Sequence, residues 1–89
     1  KNYMNINEPV EVLYEEVNQF DLFLRVYNFE SLNSIQNAIQ GVKSEILYTS
    51  EKNGSTYDVI IGPIDKEEVN NLVSYFISKG YKETKIIIN

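Results

Sequence analysis

Three large side chains alternate with aliphatic ones along one segment of the sequence. Phe23, Arg25 and Tyr27 occupy every second position, and Leu24 and Val26 lie between them. Because strand side chains alternate between the two faces of a sheet, a core that takes Leu24 and Val26 leaves the other three on the opposite face. Aromatic rings offer flat apolar surface, and a tyrosine hydroxyl adds a hydrogen bond. The spacing therefore predicts an open binding surface that combines aromatic groups with a cation.

Carboxylates are the only catalytic groups that the composition leaves. The chain has no Cys and no His, which excludes thiol chemistry, imidazole acid-base chemistry and the usual zinc ligands. The pairs Glu15-Glu16 and Glu67-Glu68 invite comparison with glycosidases, which place two carboxyl groups across the scissile bond. Adjacent helical residues diverge, however, and Glu67 and Glu68 fit the start of a helix. We therefore predict that the chain is not an enzyme and uses no metal or cofactor.

Length and charge narrow the range of partners. A chain of 89 residues is long enough for one domain with a modest core. The formal net charge of -5 leaves no basic stripe to neutralise phosphates, which argues against nucleic acid and anionic membranes. No apolar run approaches the roughly 20 residues of a membrane-spanning helix. We expect a single folded module that binds no nucleic acid and does not itself insert into a membrane.

The first half of the chain predicts a strand, a helix and a second strand. The alternation that begins at Phe20 is typical of a strand. Ser31 is a suitable N-cap for an amphipathic helix, and Gly41 is placed to end that helix in the left-handed conformation. Glu45 to Thr49 is the candidate for the second strand. Asn53-Gly54 is typical of a hairpin turn, so the second strand is expected to fold back onto the third.

The second half predicts the same elements more clearly. Thr56 to Gly62 is the third strand, which Gly62-Pro63 is expected to stop because proline lacks the donor for the ladder. Asp65 is expected to cap a second helix, with Glu68 completing a capping box, and Gly80 to close it. The buried stripe of this helix is predicted to consist of Val69, Leu72, Val73, Phe76 and Ile77.

A fourth strand, Lys85 to Ile88, completes the predicted order βαβ followed by βαβ. Ile60 takes the position of Arg25 35 residues later, which indicates a duplicated unit. This order is that of the split, ferredoxin-like α+β fold, a four-stranded antiparallel sheet with two helices on one face. We assign the domain to residues 20–89. Residues 1–19, where helical and strand periods both fit, are interpreted as a linker or N-terminal extension.

Two segments of the sequence resemble a known family. They are "YDVIIGPIDKEEVNNLVSYFISKGYKETKIII" from Tyr57 and, more loosely, "FLRVYNFESLNSIQNAI" from Phe23. Both are similar to SPOR domains, the small repeats of bacterial envelope proteins, and the Ile-rich last strand resembles that of septal, rare lipoprotein A-like hosts. The resemblance implies non-catalytic binding of peptidoglycan glycan strands, stripped of stem peptides, at the division septum in the periplasm or cell envelope.

The chain departs from the family pattern at several positions. Arg25 replaces the usual Gln of the first strand, Tyr27 the following Gly, and Asn28 the Ser. In the second half Ile60 stands at the matching Gln position and Ile64 at a position where Phe is common. These differences leave the predicted fold unchanged and alter the predicted contacts with a glycan.

The predicted glycan-binding residues all lie on the uncovered face of the sheet. Phe23 and Tyr27 would stack on sugars, and Arg25 would pair with the lactyl carboxylate that MurNAc exposes once its peptide is removed. The rim of this surface is predicted to consist of Asn28, Asp58, Ile60 and Lys85. Tyr48 fits either face, because a change of one residue in the hairpin moves it across the sheet.

Three alternatives stay open at this point. The same face could dock another protein, either a partner from the division apparatus or a second copy of the chain. Single-stranded RNA also binds aromatics on the strands of this fold, although the basic-Gly-aromatic signature is missing and the charge has the wrong sign. Finally, the aromatics could be ordinary strand residues that the N-terminal segment covers.

Overall fold

The computed structural model describes residues 21–89. The predicted linker, residues 1–19, lies outside this range. The chain forms, in order, β1 (Leu22–Phe29), α1 (Leu32–Gln40), β2 (Tyr48–Asn53), β3 (Thr56–Ile64), α2 (Lys66–Ser78) and β4 (Thr84–Ile88). This is the predicted order of elements. Within the described range, no helix is both long and apolar enough to cross a membrane.

The four strands form one antiparallel sheet in the order β2-β3-β1-β4. Helix α1 connects β1 to β2, and α2 connects β3 to β4, so each helix passes over one intervening strand. Right-handed crossovers of this kind place both helices on the same side of the sheet. The predicted α+β arrangement, with two helices on one face of a four-stranded antiparallel sheet, is confirmed.

The core lies between the two helices and one face of the sheet. It consists of Leu24, Val26, Phe29, Ile35, Ala38, Val59, Ile61, Leu72 and Phe76. Phe29 meets Phe76 edge to face, with ring centroids 6.2 Å apart, and stacks on Tyr81 at 4.0 Å. Full burial of one such side chain stabilises the fold by about 1.5–3 kcal/mol. The alternation that predicts Leu24 and Val26 as core residues is confirmed.

Helix α1 begins as predicted and ends differently. Ser31 is the N-cap, and its Oγ accepts a hydrogen bond from the N–H of Ser34 at 3.1 Å. Gly41 has a φ of -85°, in the right-handed region, so the predicted left-handed stop is wrong. The glycine instead makes room for the hydroxyl of Tyr75, which donates to the carbonyl oxygen of Ala38 at 2.6 Å.

Helix α2 starts at the predicted cap residue without the predicted capping box. Asp65 has the extended backbone of an N-cap, but in the described part of the chain its side chain makes no cap hydrogen bond. Glu67 and Glu68 lie in the first turn, where carboxylates interact favourably with the helix dipole. Gly80, with a φ of +101°, follows the end of the helix as predicted. Ile77 is 45% exposed, so its assignment to the buried stripe is wrong.

The second strand lies further along the chain than predicted. β2 begins at Tyr48 rather than at Glu45 and continues to the predicted hairpin, which is confirmed. The two turn residues are Gly54, with a φ of +67°, and Ser55. Tyr48 pairs with Ile61 of β3, and this pairing places the Tyr48 side chain on the helix-covered face.

Two β-bulges interrupt the pairing of the central strands. One lies in β1 between Val26 and Phe29, and the other lies in β3 between Ile61 and Ile64. The prediction that Gly62-Pro63 stops the third strand is wrong: the bulge accommodates this cis dipeptide, and pairing resumes at Ile64. The bulges occupy equivalent places in the two halves of the chain, residues 26–29 and 61–64, with 35 residues between equivalent positions.

The first and last described residues are neighbours. The N–H of Asn89 donates to the carbonyl oxygen of Asp21 at 3.0 Å. This bond continues the antiparallel pairing of β1 with β4, in which Leu22 lies opposite Ile88. Both ends of the described chain therefore lie at the same end of the sheet.

Candidate functional site

We call the side of the sheet that neither α1 nor α2 covers the open face. Arg25 pairs with Ile60 on β3 and with Lys85 on β4, and Ile60 pairs in turn with Thr49 on β2. Directly paired residues share a face, so these four side chains form one row across the sheet. Pairing also assigns Phe23, Ile87, Glu51 and Asp58 to the open face, and alternation along each strand adds Tyr27, Leu47 and Gly62.

One end of the open face is apolar. Phe23 pairs with Ile87, and its ring lies against Gly62 in the β3 bulge. A Cβ at Gly62 would lie 2.6 Å from Cδ2 of Phe23 and 2.7 Å from the Leu22 carbonyl oxygen, and the φ of Gly62 is +148°. Glycine is therefore required by both space and conformation. The Gly62 N–H donates to the carbonyl oxygen of Leu47 at 2.9 Å, and the Leu47 side chain is 69% exposed. We call Phe23, Leu47, Gly62 and Ile87 the apolar end.

The other end of the open face contains a buried carboxylate. Asp58 is completely buried and lies opposite the β1 bulge. Its Oδ2 accepts hydrogen bonds from Nε (3.1 Å) and Nη2 (2.9 Å) of Arg25 and from Nδ2 of Asn53 (3.1 Å). Its Oδ1 accepts from the backbone N–H of Asn28 at 3.3 Å. These donors replace the water that burial removes. The prediction that Asp58 lies at the rim of the binding surface is wrong, because its carboxylate is buried and both oxygens accept hydrogen bonds from the chain itself.

Arg25 is held by two carboxylates of the chain itself. In addition to Asp58, its Nη2 donates to Glu51 on β2, and only 21% of the Arg25 side chain is exposed. The hydrogen bond to Asp58, followed by that to Glu51, raises the pKa of the guanidinium above its ordinary value. The guanidinium carbon lies 5.4 Å from the ring centroid of Tyr27, within cation–π range. Arg25 therefore links β1 to β2 and β3 and supports the Tyr27 ring. This structural role differs from the prediction, in which Arg25 pairs with a carboxylate of the ligand.

Tyr27 and Asn28 form the β1 bulge. Asn28 has a φ of +72°, which asparagine tolerates better than most residues, and its exposed side chain donates from Nδ2 to Oε1 of Glu83 at 2.9 Å. The backbone N–H of Tyr27 donates to the carbonyl oxygen of Glu83 at 3.1 Å. These bonds fix the bulge between β4 and β3 and hold Tyr27, which is half-buried, on the open face. We call Arg25, Tyr27, Asn28, Glu51 and Asp58 the polar end.

The structure brings most of the predicted site residues together. Phe23, Arg25 and Tyr27 follow one another along β1 on the open face. Ile60 and Lys85 flank Arg25 on the neighbouring strands, Ile60 half-buried and Lys85 exposed. Asn28 is exposed in the β1 bulge, where its side chain donates to Glu83. Asp58 alone among the predicted residues is enclosed.

Besides Gly62, the sequence analysis does not assign to the open face four residues that have side chains there: Leu47, Thr49, Glu51 and Ile87. Ile87 could have been assigned, because it follows Lys85 by two positions in the same strand. The three residues from the β2 region could not, because their assignment requires the correct start and register of β2. Glu51 is the most consequential of them, since it shares Arg25 with Asp58.

The groups on the open face differ in kind from those around the cavity of the structure. Within residues 21–89, no group of His, Cys, Asp or Glu is arranged as a set of metal ligands. A cavity of about 390 Å³ lies on the helix-covered side, between residues 41–44 and α2, where Glu68 and Tyr75 contribute to its wall. The open face itself offers aromatic and aliphatic surface, hydroxyl groups and a cation.

The fold and the site together define the class of the protein as an α+β, ferredoxin-like module with a mixed aromatic and polar sheet face. Comparison with protein-family models, with curated proteins and with solved structures finds no match for the chain. The similarity to SPOR domains therefore stays a prediction from the sequence.

Proposed function

We propose that the chain is a non-catalytic binding module that takes up a peptidoglycan glycan strand on its open face. The observation that supports this proposal most directly is the sidedness of the sheet. Both helices pack on one face, while the other presents half-buried aromatic and aliphatic side chains beside an exposed lysine. Apolar surface with hydrogen-bonding groups at its margin is what stacking on sugar rings requires.

The length of the aromatic row favours a polymer over a single sugar. Phe23 and Tyr27 are four residues apart on β1, which corresponds to about 13 Å at the rise of an extended strand. The two rings are therefore too far apart to stack on the same pyranose. A strand of several sugars that lies along β1 would contact both rings and the row formed by Ile60, Arg25 and Lys85 between them.

The two cations of the open face, Lys85 and Arg25, have different roles in this proposal. A glycan strand stripped of stem peptides carries lactyl carboxylates, and Lys85 is an exposed cation on the edge strand β4, directly beside Arg25. Arg25, in contrast, is already paired with Asp58 and Glu51. We therefore assign the carboxylate contact to Lys85 and the support of the Tyr27 ring to Arg25. Such a ligand lies in the bacterial cell envelope, so the proposal includes a periplasmic, septal location and a parent similar to rare lipoprotein A.

A second candidate function is the docking of another protein of the envelope or division complex on the open face. The observation that favours it is the apolar end, where Leu47 is 69% exposed beside Phe23. Clustered exposed aliphatic side chains are typical of protein interfaces. The two candidates use the same surface and differ in their ligand.

The test is co-sedimentation of the purified chain with isolated cell walls, with or without prior removal of stem peptides by an amidase. We expect more of the chain to sediment with the treated walls. Tyr27→Ala removes one stacking ring, and we expect it to weaken binding by about 1 kcal/mol, roughly fivefold. Circular dichroism checks that the variant is folded.

Tyr48→Ala is the matched control. Tyr48 is a tyrosine on the helix-covered face and, at 38%, is more exposed than the half-buried Tyr27. Its loss should leave sedimentation unchanged. Equal retention on treated and untreated walls would contradict the preference for stripped glycan, and equal effects of the two tyrosine variants would contradict binding on the open face. Absence of binding to both kinds of wall would leave protein docking as the better explanation.

A further inference from the structure

The two edge strands of the sheet differ in their chemistry. β2, with the sequence YTSEKN, is polar and carries Glu51 and Lys52. β4, with the sequence TKIII, contains three isoleucines and one charge, Lys85. The unpaired backbone groups of an exposed edge strand can pair with a strand of another chain, unless charges, proline or bulges prevent this pairing. β2 is protected in this way, whereas β4 is mostly apolar and its pairing with β1 shows no bulge.

Exposed apolar side chains extend from β4 to the adjacent flank of α2. Ile86 is 51% exposed and Ile88 is 65% exposed, although both alternate onto the helix-covered face. On α2, the hydroxyl of Tyr75 donates to Ala38 of α1, so Tyr75 marks the flank that faces α1. Ile77 lies about 200° further around the helix and hence faces away from α1, towards the β4 side. It is 45% exposed. We call Ile77, Ile86 and Ile88 the edge patch.

We propose that β4 is a dimerisation edge, at which two copies of the chain pair their β4 strands antiparallel around a two-fold axis. Within the part of the chain that the structure describes, β4 pairs with β1 on one side, and no strand lies on its other side. A two-fold axis through Ile86 places Ile86 opposite its own counterpart and Lys85 opposite Ile87 of the second copy. The two lysines therefore do not face each other, and the patch is self-complementary.

Charge and area favour a second copy and a weak complex. Residues 84–88 contribute only the charge of Lys85, which points to the open face, so the joined edges bring no like charges into direct opposition. The net charge of -5 on each copy opposes association at a distance, and salt screens that repulsion. A five-residue edge with two exposed isoleucines, together with Ile77 of α2, buries less than the roughly 800 Å² per partner of a standard interface. We therefore expect a dissociation constant of about 10⁻⁵ to 10⁻⁴ M that decreases as salt is added.

The geometry has a consequence for the sheet. A two-fold axis perpendicular to the sheet keeps the helices of both copies on one side, so the two open faces join into one eight-stranded surface. The dimer itself does not depend on the identity of the ligand, because the edge patch lies on the opposite side from the open face. Failure of either proposal can therefore be recognised separately.

The test is sedimentation equilibrium of the full 89-residue chain, at low and at moderate salt, without any glycan. We expect a monomer–dimer equilibrium that Ile86→Lys weakens at least tenfold. Ile88→Lys is a second variant at a more exposed position, which keeps the test valid if Ile86→Lys impairs folding. Ser50→Lys, at an exposed position on the same face of β2, is the matched control and should leave the equilibrium unchanged.

Three results would overturn the proposal. If the chain is monomeric up to about 1 mM, its β4 edge does not bind a second copy. A dimer that survives both isoleucine variants uses another surface. A dimer that Tyr27→Ala weakens and Ile86→Lys does not forms through the open face instead.

Discussion

The two halves of the chain contain equivalent β-bulges, but the side chains around one bulge are polar and those around the other are apolar. Each half has a bulge near the end of its inner strand, at Tyr27-Asn28 in the first and at Gly62-Pro63 in the second. The residue that faces each bulge from the neighbouring strand is also equivalent, Asp58 for the first bulge and Phe23 for the second. One is a buried carboxylate, and the other is an aromatic ring on the surface.

This difference shows how a repeated fold acquires a polarised face. At the polar end the bulge leaves a backbone N–H, that of Asn28, which the carboxylate of Asp58 accepts. At the apolar end the bulge contains Gly62, which exposes no side chain and so leaves space for the Phe23 ring. The equivalent residues Arg25 and Ile60, which pair with each other, repeat the contrast, because one is charged and the other is aliphatic. The open face thus runs from ionic to apolar because the two bulges are filled differently.

The largest effect is expected from Asp58→Ala, which removes the acceptor at the polar end. Arg25 loses one of its two carboxylates, and Asn53 and the N–H of Asn28 lose the acceptor they share. Loss of one member of a buried ion pair typically costs about 3 kcal/mol or more. We expect the free energy of unfolding in urea to fall by about this amount.

The double variant Arg25→Ala/Asp58→Ala sharpens the interpretation. Since the two residues are directly bonded, its effect should be smaller than the sum of the single variants. Additive effects, or a loss below about 1 kcal/mol for Asp58→Ala, would mean that this network does not hold the polar end together.

A smaller effect is expected from Gly62→Ala at the apolar end. The added Cβ would meet both the Phe23 ring and the Leu22 carbonyl oxygen at a φ of +148°. We expect a loss of about 2 kcal/mol in thermal or urea unfolding, from strain and from displacement of the ring.

Gly80→Ala separates these two contributions. Gly80 also has a positive φ, +101°, but a Cβ there meets nothing within 4 Å. Its substitution should cost about 1 kcal/mol. If Gly80→Ala is as destabilising as Gly62→Ala, backbone strain accounts for both, and contact with Phe23 does not explain the glycine.

The smallest effect is expected from Glu51→Gln, on the exposed side of the same network. The Glu51 side chain is 58% exposed, whereas Asp58 is fully buried. A solvated ion pair typically contributes up to about 0.5–1 kcal/mol, so we expect the variant to unfold within about 0.5 kcal/mol of the parent chain. A loss as large as that of Asp58→Ala would show that both carboxylates act as one buried unit.

The order of elements could be predicted from the sequence because local signals agreed with one another. The alternation around Leu24, the cap at Ser31 and the turn near Gly54 each act over a few residues, and each appears in the structure. The predictions that are wrong depend on longer-range contacts. Gly41 was expected to be needed for its backbone, but a tyrosine from the other helix determines its place.

The open face could be predicted only in outline. Alternation assigns Arg25 and Asp58 to one side of the sheet, but it does not say which side chain is deep and which is shallow. Burial of Asp58 depends on a bulge in another strand and on donors 30 and 33 residues away in the sequence. The Gly62-Pro63 signal was similarly ambiguous, since the same dipeptide can end a strand or form a bulge within it.

The bond between Asn89 and Asp21 determines how the domain responds to mechanical load. Because β1 and β4 are antiparallel and their outer ends meet there, tension applied between residues 21 and 89 acts on their hydrogen bonds one after another. The pair opens like a zipper, at lower force than strands that must slide past each other. A domain pulled apart at residues 21 and 89 would therefore open first between β1 and β4.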